Sequence, residues 1–194
     1  MPHTYDSARR RAGLTAAFVG LIVAGLPFGV WAQAAPAHDS TAAPVAKPED
    51  VASKDAILTA LYDVISGPVG PRDWQRFRSL FAPGARLIPT RHDSTGHAQL
   101  IVWSPEEYAT RVGPAFLRNA FYEKQIGETA DTFGAITQVF SAYASRRAPT
   151  DSVPFARGIN SIQLFNDGTR WYVVTIYWDA EHGDLRIPSK YVGH

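Results

Sequence analysis

Two groups of histidine and acidic residues are the first candidates for chemistry in this 194-residue sequence. One group is His92, Asp93 and His97, and the other is Asp179, Glu181, His182 and Asp184. Imidazole and carboxylate groups bind zinc-type ions, and clusters of oxygen ligands bind calcium. Neither group supplies three or four ligands at a spacing typical of such sites. We therefore expect solvated side chains and no bound metal.

Other sequence signals of catalysis are missing. The sequence contains no Gly-x-Ser-x-Gly elbow, no phosphate-binding loop and no His-Glu-x-x-His segment. Cysteine is absent, which excludes a disulfide framework, a thiolate metal site and a cysteine nucleophile. We predict no cofactor.

Residues 1–34 have the three-part pattern of an export signal. Residues 9–11 are arginines, residues 14–30 are apolar, and Ala32-Gln33-Ala34 matches the small-x-small cleavage pattern. The alternative is an uncut membrane anchor, although a spanning helix needs roughly 20 apolar residues without interruption. We predict cleavage after Ala34 and an exported protein, periplasmic or secreted, that keeps no contact with the membrane.

The charge of the remaining chain argues against nucleic acid as a partner. Removing the signal takes away three of 19 basic and one of 18 acidic residues, which leaves 16 and 17. No run of lysine or arginine interleaved with aromatic residues remains. The remaining 160 residues are enough for one domain with its own core.

Three helices are predicted after a disordered linker over residues 35–52, which is rich in alanine and proline. Ser53 is a suitable N-cap for a first helix with apolar residues at helical spacing up to position 65. Residues 74–81 carry a bulky apolar stripe. Ser104-Pro105-Glu106-Glu107 is the capping-box pattern that begins a third helix.

Six short segments have the composition of strands. Residues 85–89 and 99–103 predict a hairpin around a polar loop, and residues 121–129 and 133–145 predict two longer strands. Residues 159–165 and 171–178 predict a hairpin closed by Asn166-Asp167-Gly168. Strict alternation in the last strand gives two apolar faces. One face should cover the helices, so we predict that the other packs sheet to sheet in a homodimer.

Three segments resemble the nuclear transport factor 2-like (SnoaL-like) superfamily: RDWQRFRSLFAPGARLIP, GAITQVFSAYASR and GINSIQLFNDGTRWYVVTIYWD. The resemblance implies an α+β fold over residues 53–185, with a C-terminal tail over residues 186–194. In that cone-shaped fold a strongly bent antiparallel sheet wraps around three N-terminal helices and leaves a pocket. The segments look most like exported bacterial members of unknown activity.

The resemblance also implies where chemistry would take place. Catalytic members hold a general base and a tyrosine or second acid in the cone, and on that pattern Glu123 would be the base and Tyr143 the acid. Strand register decides whether Glu123 points inward, and the alternative is a surface pair with Lys124, Arg146 or Arg157. The other candidate pocket residues are Tyr62, Trp74, Tyr108, Gln138, Ser161, Gln163, Tyr177 and Trp178.

Three functions remain open at this point. The pattern favours a protein that binds a small, mostly apolar ligand in the pocket without catalysis. The alternative is an isomerase, dehydratase or cyclase that uses the Glu123 and Tyr143 pair. A second alternative is a module that binds another envelope protein.

Overall fold

The computed structural model describes residues 44–192, and these residues form an α+β structure, which confirms the predicted fold class. The predicted signal, residues 1–34, lies outside the described residues. The helices are α1 (Pro48–Val51), α2 (Lys54–Ile65), α3 (Trp74–Ser79) and α4 (Pro105–Phe116). The strands are β1 (Phe81–His92), β2 (Ala98–Leu100), β3 (Tyr122–Phe133), β4 (Ile136–Arg146), β5 (Ala156–Asn166) and β6 (Trp171–Ala180), and a 3₁₀ turn at Ser189–Tyr191 follows.

Side-chain caps fix the starts of α2 and α4, as the sequence predicts. The Ser53 hydroxyl accepts a hydrogen bond from the Ala56 amide at 3.0 Å. At α4 both halves of the capping box form, because Ser104 accepts from the Glu107 amide and the Glu107 carboxylate accepts from the Ser104 amide. Such caps satisfy amide groups that have no partner within the helix.

Helix α1 lies inside the predicted linker, so the prediction of disorder over residues 35–52 is wrong for Pro48–Val51. Val51 is buried in the core, and the buried Asp50 carboxylate accepts hydrogen bonds of 2.7 and 2.8 Å from the Arg76 guanidinium. One helical turn is too short to show an apolar period. The residue that anchors this helix, Arg76, lies 26 positions after Asp50, and local sequence patterns do not reveal a contact between residues so far apart.

The six strands form one sheet in the order β2-β1-β6-β5-β4-β3. The pairs are antiparallel, as predicted, except that β1 and β6 run parallel, so the sheet is mixed. β1 also begins earlier than predicted, directly after α3. Pro83-Gly84 lies in the irregular part of β1, between the pairs of Phe81 and Arg86 with β6.

The turn between β3 and β4 differs from the predicted position at residues 130–132. Thr132 pairs with Thr137 and Phe133 with Ile136, so the turn consists of Gly134 and Ala135. Gly134 has a φ of +55°, a conformation that glycine adopts without strain. The strands therefore extend further along the chain than their apolar composition indicates.

A β-bulge in β6 changes the predicted faces of that strand. Leu164 pairs with Val173 and Gln163 with Thr175, which leaves Val174 as the extra residue. Val173 is consequently buried in the core on the helix side, while Tyr177 on the opposite face is 42% exposed. The strict alternation predicted for this strand, which puts Val173 on the same face as Thr175 and Tyr177, is therefore wrong. The homodimer stays a prediction, with less apolar surface to support it.

The core lies between the helices and one face of the sheet. Its fully buried side chains include Leu58, Phe77, Phe81, Ile162 and Val173. Among the described residues no helix is both long and apolar enough to cross a membrane.

We expect Arg76→Ala to lower the free energy of unfolding by about 2 kcal/mol, because it leaves the buried Asp50 carboxylate without its partner. Arg78→Ala in the same helix is the matched control, since the Glu106 carboxylate with which it pairs is 63% exposed. That exposed pair should contribute less than about 1 kcal/mol. Urea unfolding at neutral pH measures both values.

The difference between the two variants should shrink in acid. The Arg76 guanidinium lowers the pKa of Asp50, so the stabilisation is present at neutral pH and is lost as the pH falls through that pKa. Equal losses for the two variants at neutral pH would contradict a special role for the Asp50–Arg76 pair.

Candidate functional site

A cavity of about 230 Å³ lies between the helices and the inner face of the sheet. Most of its wall is apolar or aromatic: Leu61, Ile65, Phe77, Leu87, Phe121, Phe155, Ala156, Ile176 and Trp178. The polar side chains in the wall are Tyr62, Tyr108, Glu123, Tyr143, Ser145 and Asn160. Drug-sized ligands occupy roughly 300–1,000 Å³, so this cavity suits a smaller organic molecule.

Strand register directs Glu123 into the cavity. Glu123 pairs with the buried Ser145 across the β3–β4 ladder, and the Ser145 hydroxyl donates a hydrogen bond of 2.7 Å to the Glu123 carboxylate. Glu123 is half-buried, and it is the one acidic residue in the wall of this cavity. The alternative of a surface pair with Lys124, Arg146 or Arg157 does not form among the described residues.

Burial raises the pKa of Glu123 to about 7, from an ordinary value of 4.5. The apolar wall disfavours the charged carboxylate, and hydrogen bonds from Ser145 and Asn160 oppose that effect only in part. At neutral pH the group is therefore divided between acid and carboxylate. A general base for reactions near pH 7 needs a pKa in this range.

Three tyrosines surround Glu123 and stay neutral. Burial raises the pKa of Tyr62, Tyr108 and Tyr143, and the negative charge of Glu123 raises each of them further. Neutral phenols donate hydrogen bonds and do not compete with Glu123 for protons. The cavity thus combines one titratable carboxyl group with several fixed donors.

A chain of hydrogen bonds holds Tyr62 in place. Its hydroxyl lies 2.6 Å from the Ser141 hydroxyl and accepts a hydrogen bond of 3.1 Å from the Asn160 amide. The Gln125 amide donates to Ser141 at 3.0 Å and to the Glu128 carboxylate at 2.6 Å. Glu128 in turn forms an ion pair with the Lys54 ammonium on α2. Polar groups from α2, β3, β4 and β5 are therefore tied together behind the cavity wall.

The structure brings five of the ten predicted site residues into the cavity wall: Tyr62, Tyr108, Glu123, Tyr143 and Trp178. Trp74 instead packs among core rings, with centroids 5.4 Å from Phe77 and 6.1 Å from Phe116. Its assignment to the pocket is wrong.

The other four predicted pocket residues, Gln138, Ser161, Gln163 and Tyr177, lie on the outer face of the sheet. In β5 the buried residues on the inner face are Asn160, Ile162 and Leu164, so Ser161 and Gln163 point away from the helices. Gln138 pairs with Gln163, and Tyr177 pairs with Ser161, on the same outer face. Their assignment to the pocket is wrong.

Two polar residues of the wall, Ser145 and Asn160, are not among the residues predicted from the sequence. Asn160 lies on the inner face of β5 together with the apolar residues Ile162 and Leu164. A polar residue in this apolar series is the sequence signal that points to the wall of a cavity. Ser145 is found only through its pairing with Glu123.

A second polar cluster lies outside the cavity. The two histidine groups predicted to be separate are joined, because His92 at the end of β1 contacts Asp179 on β6. His182 packs against His92, whereas His97 stays with Asp93 and Thr95 in the exposed loop. Among the described residues this is the one group of three side chains close enough to share a metal ion.

No protein-family model and no curated protein matches the chain. Solved structures similar to it include a protein of unknown function with a cystatin-like fold from Nostoc punctiforme, at 12% identity and a TM-score of 0.44, covering 56% of this chain and 77% of that one. An NTF2-like protein of unknown function from Shewanella baltica has 14% identity and a TM-score of 0.41, with coverage of 68% and 98%.

A provisionally named ketosteroid isomerase from Kribbella flavida has 17% identity and a TM-score of 0.39, and the match covers 76% of this chain and 98% of that one. These structural neighbours are thus cystatin-like, NTF2-like and ketosteroid isomerase-like proteins. Similarity at this level gives no information about the activity of this chain.

We expect Glu123→Gln to reduce the pH dependence of stability. In the folded protein Glu123 keeps its proton up to about pH 7, whereas its ordinary pKa is 4.5. Its contribution is therefore complete below pH 4.5 and is lost as the pH rises through 7. Between about pH 5 and pH 8 the wild type should lose roughly 2–3 kcal/mol relative to the variant.

Urea unfolding followed by tryptophan fluorescence at several pH values measures this loss. Glu49→Gln, at an exposed position in α1, is the matched control and should follow the wild type. Parallel stability curves for the wild type and Glu123→Gln would contradict the raised pKa.

We expect Gly158→Ala to destabilise the protein by roughly 3 kcal/mol or more, because the added methyl overpacks a filled space. The new carbon would lie 2.2 Å from the Asp179 carbonyl oxygen and 2.6 Å from the Tyr143 hydroxyl. Gly113→Ala is the control, since its methyl meets the Trp74 ring at 3.6 Å and alanine favours the helix. Thermal unfolding should show a lower Tm for the first variant and an equal or higher Tm for the second.

Proposed function

We propose that this protein binds a small, mostly apolar molecule in the cavity and transfers a proton to or from it through Glu123. The observation that carries the proposal is one carboxyl group on the wall of an otherwise largely apolar cavity, held by Ser145. The reaction class would be that of an isomerase or dehydratase. This proposal reverses the preference that the sequence gives to binding without catalysis.

Glu123 has the position and the environment of a general base. In a desolvated cavity, its carboxylate would take a proton from the carbon next to a carbonyl group. The hydrogen bond from Ser145 restrains the rotation of the carboxyl group. A bound molecule would therefore meet the base in one orientation, which lowers the entropic cost of the reaction.

Tyr143 or Tyr108 would stabilise the oxygen of the molecule as it gains negative charge. Both phenols line the cavity and are neutral, so each can donate a hydrogen bond to a developing oxyanion. Tyr62 is less suited, because its hydroxyl is already engaged by Ser141 and Asn160. Trp178 and Phe121 supply apolar surface for a ring or a conjugated chain.

Binding without turnover is the second candidate, favoured by the mostly apolar wall. Three other proposals are independent of the cavity: export, a sheet-to-sheet homodimer and a module that binds another envelope protein. For the interaction module, the supporting feature is the exposure of Phe133 at 84% and Ile136 at 61% near the β3–β4 turn.

The test uses small ketones, namely cyclohexanone, cyclohexenone and acetophenone, incubated with the full chain in D₂O near neutral pH. A base in the cavity exchanges hydrogen for deuterium at the carbon next to the carbonyl, and proton NMR measures the rate. We expect exchange above the buffer rate, its loss in Glu123→Gln, and a decrease of about 10- to 100-fold in Tyr143→Phe. The exposed Glu49→Gln is the control and should keep the rate of the wild type.

Quenching of tryptophan fluorescence by the same ketones measures binding separately. Binding without exchange in any ketone would favour the second candidate. Equal exchange rates in the wild type and in Glu123→Gln would show that this carboxyl group is not the base.

A further inference from the structure

The second cluster combines three metal-ligating side chains from two distant parts of the chain. The parallel pairing of Pro89 with Trp178 brings the end of β1 beside the end of β6. His92 Nε2 then lies 3.1 and 3.2 Å from the two carboxylate oxygens of Asp179. The rings of His92 and His182 have centroids 3.8 Å apart, and one ligand atom of each of the three residues lies within 4.8 Å of the others.

Hydrogen bonds to the backbone already orient two of these side chains. His182 Nδ1 lies 2.8 Å from the Ala180 carbonyl oxygen, which only accepts, so this nitrogen must carry the proton. In the neutral ring the lone pair is therefore on Nε2. Nδ1 lies 4.0 Å from Asp179 Oδ1, so His182 would bind an ion through Nε2 after the ring turns, or through Nδ1 after this nitrogen gives up its proton and its contact with the carbonyl. The Ala180 amide donates to Asp179 Oδ1 at 2.8 Å. Backbone contacts of this kind orient histidine and carboxylate ligands in metal sites.

One ring nitrogen of His92 has no hydrogen-bond partner among the described residues. This nitrogen, Nδ1, is buried, while Nε2 faces a carboxylate. A neutral imidazole carries one proton, so one of its two nitrogens keeps an electron pair that no donor satisfies. Buried polar atoms without partners are rare in folded proteins. An ion at Nε2 would bind the electron pair that faces the carboxylate and would place the ring proton on Nδ1.

We propose that His92, Asp179 and His182 bind one divalent transition-metal ion of the zinc type. Around a tetrahedral ion with bonds of about 2.0–2.2 Å, neighbouring ligand atoms are about 3.3–3.6 Å apart, and the 3.1 Å between His92 Nε2 and Asp179 Oδ1 is slightly below this spacing. His182 has to turn or shift, because its Nδ1 contacts the Ala180 carbonyl oxygen and lies 4.0 Å from Asp179 Oδ1. It has room to do so, since its side chain is 44% exposed on the loop after β6.

The ligand set selects the class of ion. Two imidazoles and one carboxylate suit zinc, copper, nickel or iron, whereas calcium requires more oxygen ligands. Asp179 is 39% exposed, which leaves further coordination positions open to water or to a small ligand. Asp179 follows the cavity residue Trp178 in β6, and neighbouring residues of a strand point to opposite faces of the sheet. The metal site therefore faces away from the cavity, and its proposal does not depend on the proposed proton transfer.

The test measures zinc binding to the full chain after EDTA treatment and dialysis. Isothermal titration with zinc chloride should give one ion per chain, and cobalt(II) in its place should give the visible absorption of a tetrahedral or five-coordinate site. We expect His92→Ala and His182→Ala to weaken zinc binding by at least about tenfold. His97→Ala is the matched control, because this histidine is 83% exposed in the neighbouring loop and outside the cluster, and it should bind like the wild type.

Asp179→Asn removes the charge but keeps the shape, so it tests the site if an alanine variant fails to fold. NMR with labelled histidine is a second measurement, in which the His92 and His182 variants assign the signals, and zinc should shift two of the six histidine side chains of the wild type. The proposal is overturned if zinc does not bind with a stoichiometry of one, if His97→Ala loses as much affinity as His92→Ala, or if the signals that shift are unaffected by the His92 and His182 substitutions.

Discussion

The desolvation of one carboxyl group is the constraint on which the described structure depends. Glu123 lies between helices and sheet, where an unpaired charge is costly, and it has no basic partner in the wall of the cavity. The protein accommodates the group with a hydroxyl donor from Ser145 and with a pKa close to neutrality. The same arrangement keeps the neighbouring tyrosines protonated, so one charge at most is present in the cavity near neutral pH.

The polar network behind the cavity explains why the wall can hold this arrangement. The contacts from Asn160 and Tyr62 through Ser141 to Gln125 connect residues that are up to 98 positions apart in the chain. Each buried polar atom in this series has a partner, and satisfied networks of this kind restrict side chains to one conformation. The Lys54–Glu128 ion pair anchors the network at the more exposed end.

The sequence predicts the fold well wherever local signals decide it. The Ser104 capping box and the turn at Asn166-Asp167-Gly168 are where their residues indicate. Sequence alternation fails where a bulge inserts Val174, and it cannot say that Ser161 faces outward while Asn160 faces the cavity. Pairing between strands decides such cases. Glu123 was identified by its type, but its direction and its partner Ser145 depend on the register with β4.

The parallel pair of β1 and β6 has a consequence for the order of folding. It joins Phe81 to Val173, and these residues are separated by 92 positions, so β1 enters the sheet only after a long loop has closed. Contacts of this range slow folding, whereas the antiparallel strands β3 to β6 form from neighbours in sequence. During synthesis, α3 and β1 therefore wait for the last strand to emerge before their apolar side chains are covered. Until then these side chains stay exposed, and exposed apolar surface of this kind makes incompletely folded chains prone to aggregate.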